Sequence, residues 1–582
     1  MPNVELQVNT LISNATMRNW SRLNYTAYTK LNSRANKKLS KKIIVPIEYF
    51  SNENNVKIVE NIIENIRQSN YDTFDAIYSL SINLLTKLNL IDKPHIQQTI
   101  GEYQNHNHNL IKALLNVFLP NDEKDILGII YQCLLSEGEK NITGTYYTTK
   151  SITDNMTAHL DFSHGEKFFD PCCGSGAFLL ALNNAKPYQI FGVDINPIAV
   201  MIAKINMLIK YSDYEFIPQI YCYDYLASNN TDKEQYDYII TNPPWGVTSN
   251  VPSISTKIVS KESFSLFFEK SYCQLKENGI IRFLFPESIL NVKTHKDIRE
   301  YILHNGDLQQ ISYYTNTFNG VTTKVIDILH KKVVQSPFVA IIKNNTSITV
   351  PKTVFQQTEN KVFNALNEND IAIIEKVKLK GEYNLSNSIW ALGIVTGDNK
   401  TKLKPHFEIG LEKIYTGKEI LPYRLKPAKN YIYYDRKQFQ QVAKEEYYRA
   451  KEKLVYKFIS NKLVFAYDDT ASLFLNSANI LIPQIPNMSI KTVLGFLNSE
   501  LYQYLYCTLF SEIKVLKGNL IELPFANIAQ EQDKLISTYV QNILDGKDDY
   551  IIKLQTTIYE LFDISDLQIK YIREKINGTF NK

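Results

Sequence analysis

Four consecutive residues near the middle of the chain, Asn242-Pro243-Pro244-Trp245, have the composition of a receptor for an aromatic amine. Consecutive prolines fix the backbone dihedrals and remove two N–H donors, so the Asn242 side-chain oxygen and the Pro243 carbonyl can face outward as acceptors. Trp245 adds a flat ring that can stack on a heterocycle. Two acceptors on one amino group favour a pyramidal nitrogen with a localised lone pair, which activates a poor nucleophile. The alternative interpretation is a Pro-Pro turn beneath a buried aromatic residue.

A glycine turn upstream has the form of a cofactor loop, in which an apolar strand end leads through a Gly-x-Gly turn into a helix. The turn and its flanks contain Asp170, Cys173, Gly174, Gly176 and Phe178. Glycines let the backbone approach a bound adenosyl group closely, and ligands of open α/β sheets bind at the carboxyl ends of strands. Leu179 stands where a dinucleotide fingerprint needs a third glycine, so the sequence disfavours NAD.

Two further aspartates stand at the ends of the next predicted strands. Asp194 ends the run FGVD, and Asp224 ends the run IYCYD. An acidic side chain at the first position can accept hydrogen bonds from ribose hydroxyls, and one at the second can accept from an adenine amino group. Either aspartate alone is more often a turn residue. Their succession at consecutive strand ends favours a single site for an adenosyl cofactor.

The alternation of sequence patterns predicts an α/β protein with additional segments on both sides. Residues 52–135 repeat apolar positions at helical spacing, whereas residues 165–335 alternate short β-rich runs with helical patterns, as in a parallel sheet. After about residue 340 the alternation gives way to aromatic, Lys-rich segments and a helical tail. We therefore predict a helical segment over 1–135, a Rossmann-like catalytic domain over 136–340 and an α+β domain over 341–582.

Composition excludes several classes of protein. The chain has 582 residues, of which 44% are hydrophobic and 21% charged, as in compact multidomain proteins and unlike disordered or fibrous chains. No run resembles a signal peptide or a membrane span, so a cytoplasmic location is expected. The six cysteines show no CxxC spacing, which argues against a zinc site and predicts reduced thiols.

Positive charge is concentrated in two places. Residues 1–42 hold eight Lys/Arg against one Glu, giving +7, and residues 400–463 hold sixteen against seven acids, giving +9. The whole chain has a net charge of +4, so the remainder carries 4 − 16 = −12. Such asymmetry suits a polyanionic partner, although charge runs are also common on ordinary solvated faces.

In order and content these motifs resemble the adenine-specific DNA methyltransferases of bacterial restriction–modification systems, in which the cofactor motif precedes the catalytic motif and target recognition comes last. The likeness runs from about residue 125 to 575. It implies a methyltransferase sheet that uses S-adenosylmethionine, a C-terminal target recognition domain and no metal. It also implies a reaction in which an adenine is flipped out of double-stranded DNA and methylated on its 6-amino group. The partners implied are DNA and a separate cognate restriction endonuclease.

The resemblance also implies residue roles. It assigns the methionine part of the cofactor to Thr145 and Tyr146 of a Gly-x-Tyr-Tyr-Thr loop, to Asp170, and to the turn that holds Cys173, Gly174 and Gly176. The ribose falls to Asp194, and the cofactor adenine to Asp224 with Phe178. The target amino group falls to Asn242, which borders the cofactor as well, and to the Pro243 carbonyl. Trp245 and a second ring, Phe318, are expected to stack on the flipped base.

Two other functions stay open at this stage. Methyltransferases that act on a glutamine amide of a protein or on ribosomal RNA adenine share the Asn-Pro-Pro-aromatic receptor, but they are generally smaller and lack a large basic domain after the catalytic one. A non-catalytic DNA-specificity subunit is the third possibility, and the intact Asp170, Gly174, Gly176, Asn242 and Trp245 argue against it.

Overall fold

The computed structural model describes most of the chain as two compact units, residues 43–363 and residues 366–580, each of which is described by itself. The described ranges are 43–104, 110–144, 146–228, 235–249, 251, 257–314, 324–344, 346–356, 360–363, 366–510 and 514–580. The basic stretch 1–42 lies outside them. The boundaries between the three predicted domains stay predictions.

The first unit is built on a mixed β-sheet, whose order in the described residues is β3-β2-β1-β4-β5-β7-β6-β8-β9. Its strands are β1 (Phe168–Asp170), β2 (Ile190–Asp194), β3 (Gln219–Cys222), β4 (Tyr236–Thr241), β5 (Leu275–Pro286), β6 (Asp307–Tyr314), β7 (Val325–Lys331), β8 (Phe338–Lys343) and β9 (Thr346–Pro351). β1 to β5 are parallel.

The parallel arrangement predicted over 165–335 holds for β1 to β5 but not for β7. β7 runs antiparallel to both of its neighbours, β5 and β6, and β9 runs antiparallel to β8. β6 ends at Tyr314 and β7 begins at Val325, and this separation is shorter than the dozen or more residues that a crossover between adjacent parallel strands needs. Hydrophobic runs alone do not reveal this, because β7 is largely buried, as a parallel strand would be.

Helices cover the sheet and extend ahead of it. They are α1 (Asn55–Gln68), α2 (Thr73–Lys87), α3 (Pro94–Gln104), α4 (Ile126–Leu134), α5 (Glu137–Thr143), α6 (Lys150–Thr157), α7 (Ala177–Ala181), α8 (Pro197–Lys210), α9 (Ser263–Cys273) and α10 (Lys296–His304). Apolar residues of α1, α2 and α4 share one core with Met201, Ile202, Ile205 and Leu208 of α8. The N-terminal helices are thereby fixed to the helix that follows β2.

The second unit is an α+β structure. Its strands are β10 (Gly381–Tyr383), β11 (Ile389–Leu392), β12 (Leu403–Lys404), β13 (Glu412–Tyr415), β14 (Asn430–Ile432), β15 (Lys453–Lys457), β16 (Phe465–Asp468), β17 (Leu473–Phe474), β18 (Ala478–Ile482) and β19 (Phe525–Ala526). Within the described residues they form the sheets β11-β18-β15-β16, β12-β14-β13-β17 and β10-β19. Ile414 and Ile432 of one four-stranded sheet share a core with Val455 and Ile480 of the other.

Helices flank these strands and form the end of the chain. They are α11 (Glu368–Lys380), α12 (Asn399–Lys402), α13 (Glu445–Tyr448), α14 (Ile490–Leu497), α15 (Glu500–Leu509), α16 (Lys517–Ile521), α17 (Gln530–Leu544), α18 (Tyr550–Leu561) and α19 (Asp566–Phe580). Across both units, none of the described helices combines the length and the apolar character needed to cross a bilayer.

Candidate active site

A cavity of about 470 Å³ opens at the carboxyl ends of β1, β2 and β4. β1 lies between β2 and β4 and is parallel to both, so the segments that leave these strands meet at one edge of the sheet. Residues of all three segments line the cavity, and Gln132 of α4, Leu135 just after α4 and Glu139 of α5 lie on another side. The sheet topology therefore unites motifs that are about seventy residues apart in sequence.

The glycine turn after β1 provides an open floor to this cavity. Gly174 has φ +53°, a conformation that L side chains rarely adopt, and an added Cβ there would meet nothing within 4 Å. The space beside it is part of the cavity. The Gly174 N–H donates to the Asp194 carboxylate at 2.9 Å, which fixes the turn to the end of β2. Backbone at this position can thus approach a ligand without a side chain intervening.

The carboxylates of Asp170 and Asp194 are fixed by hydrogen bonds, and Asp170 is buried whereas Asp194 is half-buried. Asp170 is 1% exposed and accepts from the Thr241 hydroxyl at 2.5 Å and from the Cys172 N–H at 3.1 Å. Asp194 also accepts from the Asn196 N–H at 2.8 Å. Burial raises the pKa of Asp170 to about 7 and raises the pKa of Asp194 as well. Both groups would gain from a nearby positive charge.

The charge of the lining indicates a cationic ligand. Four carboxylates line the cavity, Glu139, Asp170, Asp194 and Asp224, and no Lys, Arg or His is among the described residues that do so. A pyrophosphate would be repelled here. S-adenosylmethionine carries positive charge on its sulfonium and on its α-ammonium group. The four carboxylates of the lining therefore fit the cofactor that the resemblance implies.

Asn242 borders the same cavity with its side chain held in one orientation. Its amide nitrogen donates to the Thr148 hydroxyl at 3.1 Å and to the Tyr146 carbonyl at 3.4 Å. No described residue donates to its side-chain oxygen. The Pro244 carbonyl accepts from the Ser263 hydroxyl at 2.7 Å, whereas no described group donates to the Pro243 carbonyl. The Asn242 oxygen, on the cavity lining, is thus left free for a ligand, whereas Pro243 is buried and absent from the described lining, so the role of its carbonyl stays a prediction.

The Trp245 ring is packed against the protein. It is 8% exposed, its indole N–H donates to the Leu284 carbonyl at 3.3 Å, and its ring centroid lies 6.1 Å from that of Tyr146. The neighbouring Pro244 and Val247 line the cavity, and Trp245 is absent from the described lining. Its stacking role stays a prediction, and it requires that a face of the ring be uncovered.

The remaining predicted residues divide between the cavity and the part of the chain that is not described. Tyr146, Cys173 and Phe178 line the cavity, as does the exposed Asp224. One Asp224 oxygen accepts from the backbone N–H groups two and three residues further on, at 3.0 and 3.2 Å. Gly176, at φ +93°, begins α7 and contributes close packing. Thr145 and Phe318 lie outside the described residues.

Sequence reasoning missed a buried network that joins three walls of the cavity. Asp125 caps the N-terminus of α4 and accepts from the Ser175 hydroxyl at 2.5 Å and from the Asn206 amide at 2.7 Å. It also bonds the Tyr147 side chain, and burial raises its pKa to about 7. Asn206 in addition donates to the Ser175 carbonyl at 2.9 Å. An aspartate directly before an apolar helical run is a capping signal, which marks the helix start but not these partners.

Two protein families match parts of the chain. Residues 122–389 match the N-6 DNA methylase family, and residues 412–525 match the TaqI-like C-terminal specificity domain. In their order along the chain, the two matched regions are similar to a DNA methylase followed by a specificity domain. The resemblance noted from the motifs and the predicted fold class are confirmed.

Individual relatives agree with this class. The chain is 29% identical over 332 residues to the type II methyltransferase M.VspI of Vibrio sp. (strain 343), a match covering 54% of this chain and 80% of the relative. It is 24% identical over 265 residues to the type I restriction enzyme EcoEI methylase subunit of Escherichia coli, covering 40% and 53%. These matches make the chain similar to restriction–modification DNA methyltransferases.

Coverage of other relatives is smaller. The match to the type II methyltransferase M.HincII of Haemophilus influenzae, at 23% identity, covers 33% of this chain and 38% of that protein.

Among solved structures, the type IIL restriction-modification enzyme MmeI in complex with DNA superposes with a TM-score of 0.58 at 12% identity, covering 88% of this chain and all of that one. At such identity the superposition establishes the shared fold.

Proposed function

We propose that this protein transfers a methyl group from S-adenosylmethionine to the 6-amino group of adenine in a specific double-stranded DNA sequence, as the modification enzyme of a restriction–modification system. One observation carries the proposal: Asn242, with its oxygen free, borders the same acidic cavity as the glycine turn and Asp194. Residues 136–340 would form the catalytic domain and residues 341–582 the DNA target recognition domain. A separate endonuclease would be the partner enzyme.

The cofactor would be held by residues from each strand end. Asp170 and the turn 173–176, with Tyr146 and Thr145, would take the methionine part, Asp194 the ribose, and Asp224 with Phe178 the adenine. When bound, S-adenosylmethionine supplies an electrophilic methyl group on a sulfonium. The carboxylates of Asp170 and Asp194 favour that positive charge before reaction, because burial has already raised the pKa values of both groups.

The target amine would be prepared by the Asn-Pro-Pro segment. The Asn242 oxygen and the Pro243 carbonyl would each accept one amino proton of the flipped adenine, which favours a tetrahedral nitrogen and localises its lone pair. Thr148 and the Tyr146 carbonyl preorganise Asn242, so its oxygen needs no reorientation when the base arrives. Flipping costs a few kcal/mol, and stacking on Trp245 and Phe318 would offset it at about 1–3 kcal/mol per ring.

The test is methyl transfer from labelled S-adenosylmethionine to duplex DNA, followed by nucleoside analysis and methylation-sensitive sequencing. We expect label in N6-methyladenine within one sequence context. Asn242→Ala should abolish transfer and leave cofactor affinity within about two-fold, because the lost oxygen contacts the amine. Asn305→Ala, at the end of α10 away from the cavity, is the matched control and should retain activity.

Three outcomes would contradict the proposal. Transfer to a protein glutamine or to ribosomal RNA, without transfer to duplex DNA, would favour the other methyltransferase class. DNA binding without transfer to any substrate would indicate a specificity subunit. Loss of cofactor affinity in Asn242→Ala, with residual transfer at saturating cofactor, would mean that Asn242 serves the cofactor and not the target amine.

A further inference from the structure

The turn between β12 and β13 exposes two apolar side chains to solvent. Phe407 is 65% exposed and Ile409 is fully exposed. The Leu411 N–H donates to the Glu408 carbonyl at 3.0 Å, which closes the turn between them. These two exposed side chains do not stabilise the fold, because apolar surface contributes to folding stability only when folding removes it from water. We call residues 405–410 the apolar tip.

Basic and aromatic side chains surround the base of the apolar tip. On β14, Ile432 is buried, so the adjacent Tyr431 projects from the opposite face of the sheet. Tyr431 pairs with Lys404 of β12 on one side and with Lys413 of β13 on the other, and both lysines are exposed. The Phe407 ring packs edge-on against Tyr431 with centroids 5.8 Å apart. The result is an aromatic pair, Phe407 and Tyr431, between two exposed lysine side chains.

Acidic groups at this surface are few. Arg449 binds the Glu412 carboxylate through both terminal nitrogens, one of them at 2.8 Å, and so neutralises it. Glu408, within the apolar tip, is the remaining carboxylate of the segment 403–415. A protein partner that binds the apolar tip through apolar contacts does not need a lysine on each side of it. A nucleic acid places phosphates on both sides of the contact, and these phosphates do need a lysine on each side. Charge complementarity therefore favours a nucleic acid.

Building on the function proposed above, we propose that the apolar tip is a wedge that inserts Phe407 and Ile409 between base pairs of duplex DNA while Lys404 and Lys413 contact the flanking phosphates. Apolar side chains inserted at a base step unstack and kink the duplex, and the bend brings more protein surface onto the DNA. The tip lies just ahead of residues 412–525, so the specificity-domain match does not extend to it. This surface thus deepens the proposed DNA specificity with a shape-reading element.

The test compares two double variants of the full chain with the wild type. Phe407→Ala/Ile409→Ala should weaken binding to a duplex that carries the methylated site by about 10-fold or more, because the stacking free energy of the inserted side chains is lost. The same variant should reduce the DNA bend, which is measured by energy transfer between labels at the two ends of the duplex. Lys404→Ala/Lys413→Ala should weaken binding to all duplexes and lower the slope of log K against log salt by about 2. Both variants should keep the wild-type melting temperature and cofactor affinity.

The matched control is Ile552→Ala/Leu567→Ala, which removes two exposed apolar side chains from α18 and α19 and should change neither DNA affinity nor bend. If the wild type methylates DNA but the Phe407/Ile409 variant keeps full affinity and bend, the wedge is wrong and the proposed function stands. Loss of self-association in that variant with unchanged DNA affinity would assign the apolar tip to a second copy of the chain. A wild type that binds no DNA overturns both proposals.

Discussion

The side-chain nitrogen of Asn242 donates to the hydroxyl of Thr148 at 3.1 Å, so the segment that precedes α6 orients the proposed catalytic amide. Thr148→Val removes that acceptor but keeps the shape of the side chain. We expect kcat to fall about 10-fold, the size of one orienting hydrogen bond, with cofactor affinity nearly unchanged. Steady-state kinetics and calorimetric cofactor titration measure the two effects separately.

Thr149→Val is the control for this substitution. Thr149 is equally buried, at 9% exposed, and makes no capping bond from its side chain to α6. Its kcat should stay near that of the wild type. Equal losses in the two variants would show that the Asn242–Thr148 bond has no special role.

The open space beside Gly174 predicts a selective loss of cofactor binding. Gly174→Ala places a methyl group in the cavity at φ +53°, whereas Gly165→Ala places one at φ +87° in an equally open position that does not line the cavity. Each substitution should cost about 1–2 kcal/mol of folding stability through backbone strain. Only Gly174→Ala should weaken cofactor affinity, by about 10-fold or more, in equilibrium dialysis. Equal cofactor affinities in the two variants would place the ligand elsewhere.

The Asp125 network predicts strong coupling between α4 and the glycine turn. Asp125→Ala leaves Ser175, Asn206 and the Gly128 N–H without their buried acceptor and should cost about 2–3 kcal/mol of unfolding free energy. Ser175→Ala alone should cost about 1 kcal/mol, and the double variant less than the sum. Urea unfolding of the four proteins of this cycle measures the coupling. Asp122→Ala, on the surface, is the control. If the losses of unfolding free energy in the two single variants add up to the loss in the double variant, the network is contradicted.

The raised pKa of Asp170 predicts that cofactor affinity depends on pH. Without ligand, Asp170 holds its proton up to about pH 7, whereas a neighbouring cation favours the ionised carboxylate. Binding must therefore release a proton below pH 7, and affinity should rise with pH by up to about 10-fold per unit until it levels off above pH 7. Titrations between pH 6 and pH 8 check this. Asp170→Asn should flatten the profile, and an unchanged slope would contradict the assignment.

The same shift has the opposite effect on the unliganded fold. Asp170 and Asp125 have folded-state pKa values of about 7, above the usual value of 3.8, so the folded chain binds more protons than the unfolded chain between these limits. Their contribution to stability is fully present below about pH 4 and is lost as the pH rises through 7. The melting temperature of the ligand-free protein should fall relative to that of the liganded protein across this range.

The sequence by itself predicted the class of fold and the motifs that meet at the cavity. The Asn-Pro-Pro-Trp segment, the glycine turn and the aspartates at strand ends are local patterns, and backbone dihedrals and strand ends are local properties that residue types control directly. The alternation of β-rich runs with helical patterns likewise predicted the α/β class. Parallel strands end at one edge of a sheet, which is why Asp170, Asp194 and Asn242 could be expected to meet.

Tertiary structure alone decided which groups contact one another across long separations. Asp125 and Ser175 are 50 residues apart, and no local signal pairs a helix cap with a distant turn. The burial of Trp245 depends on the Leu284 carbonyl of β5, and the place of Phe407 beside Tyr431 depends on strand register. Residue type sets what a side chain can do, but packing sets which partner it finds and whether water still reaches it.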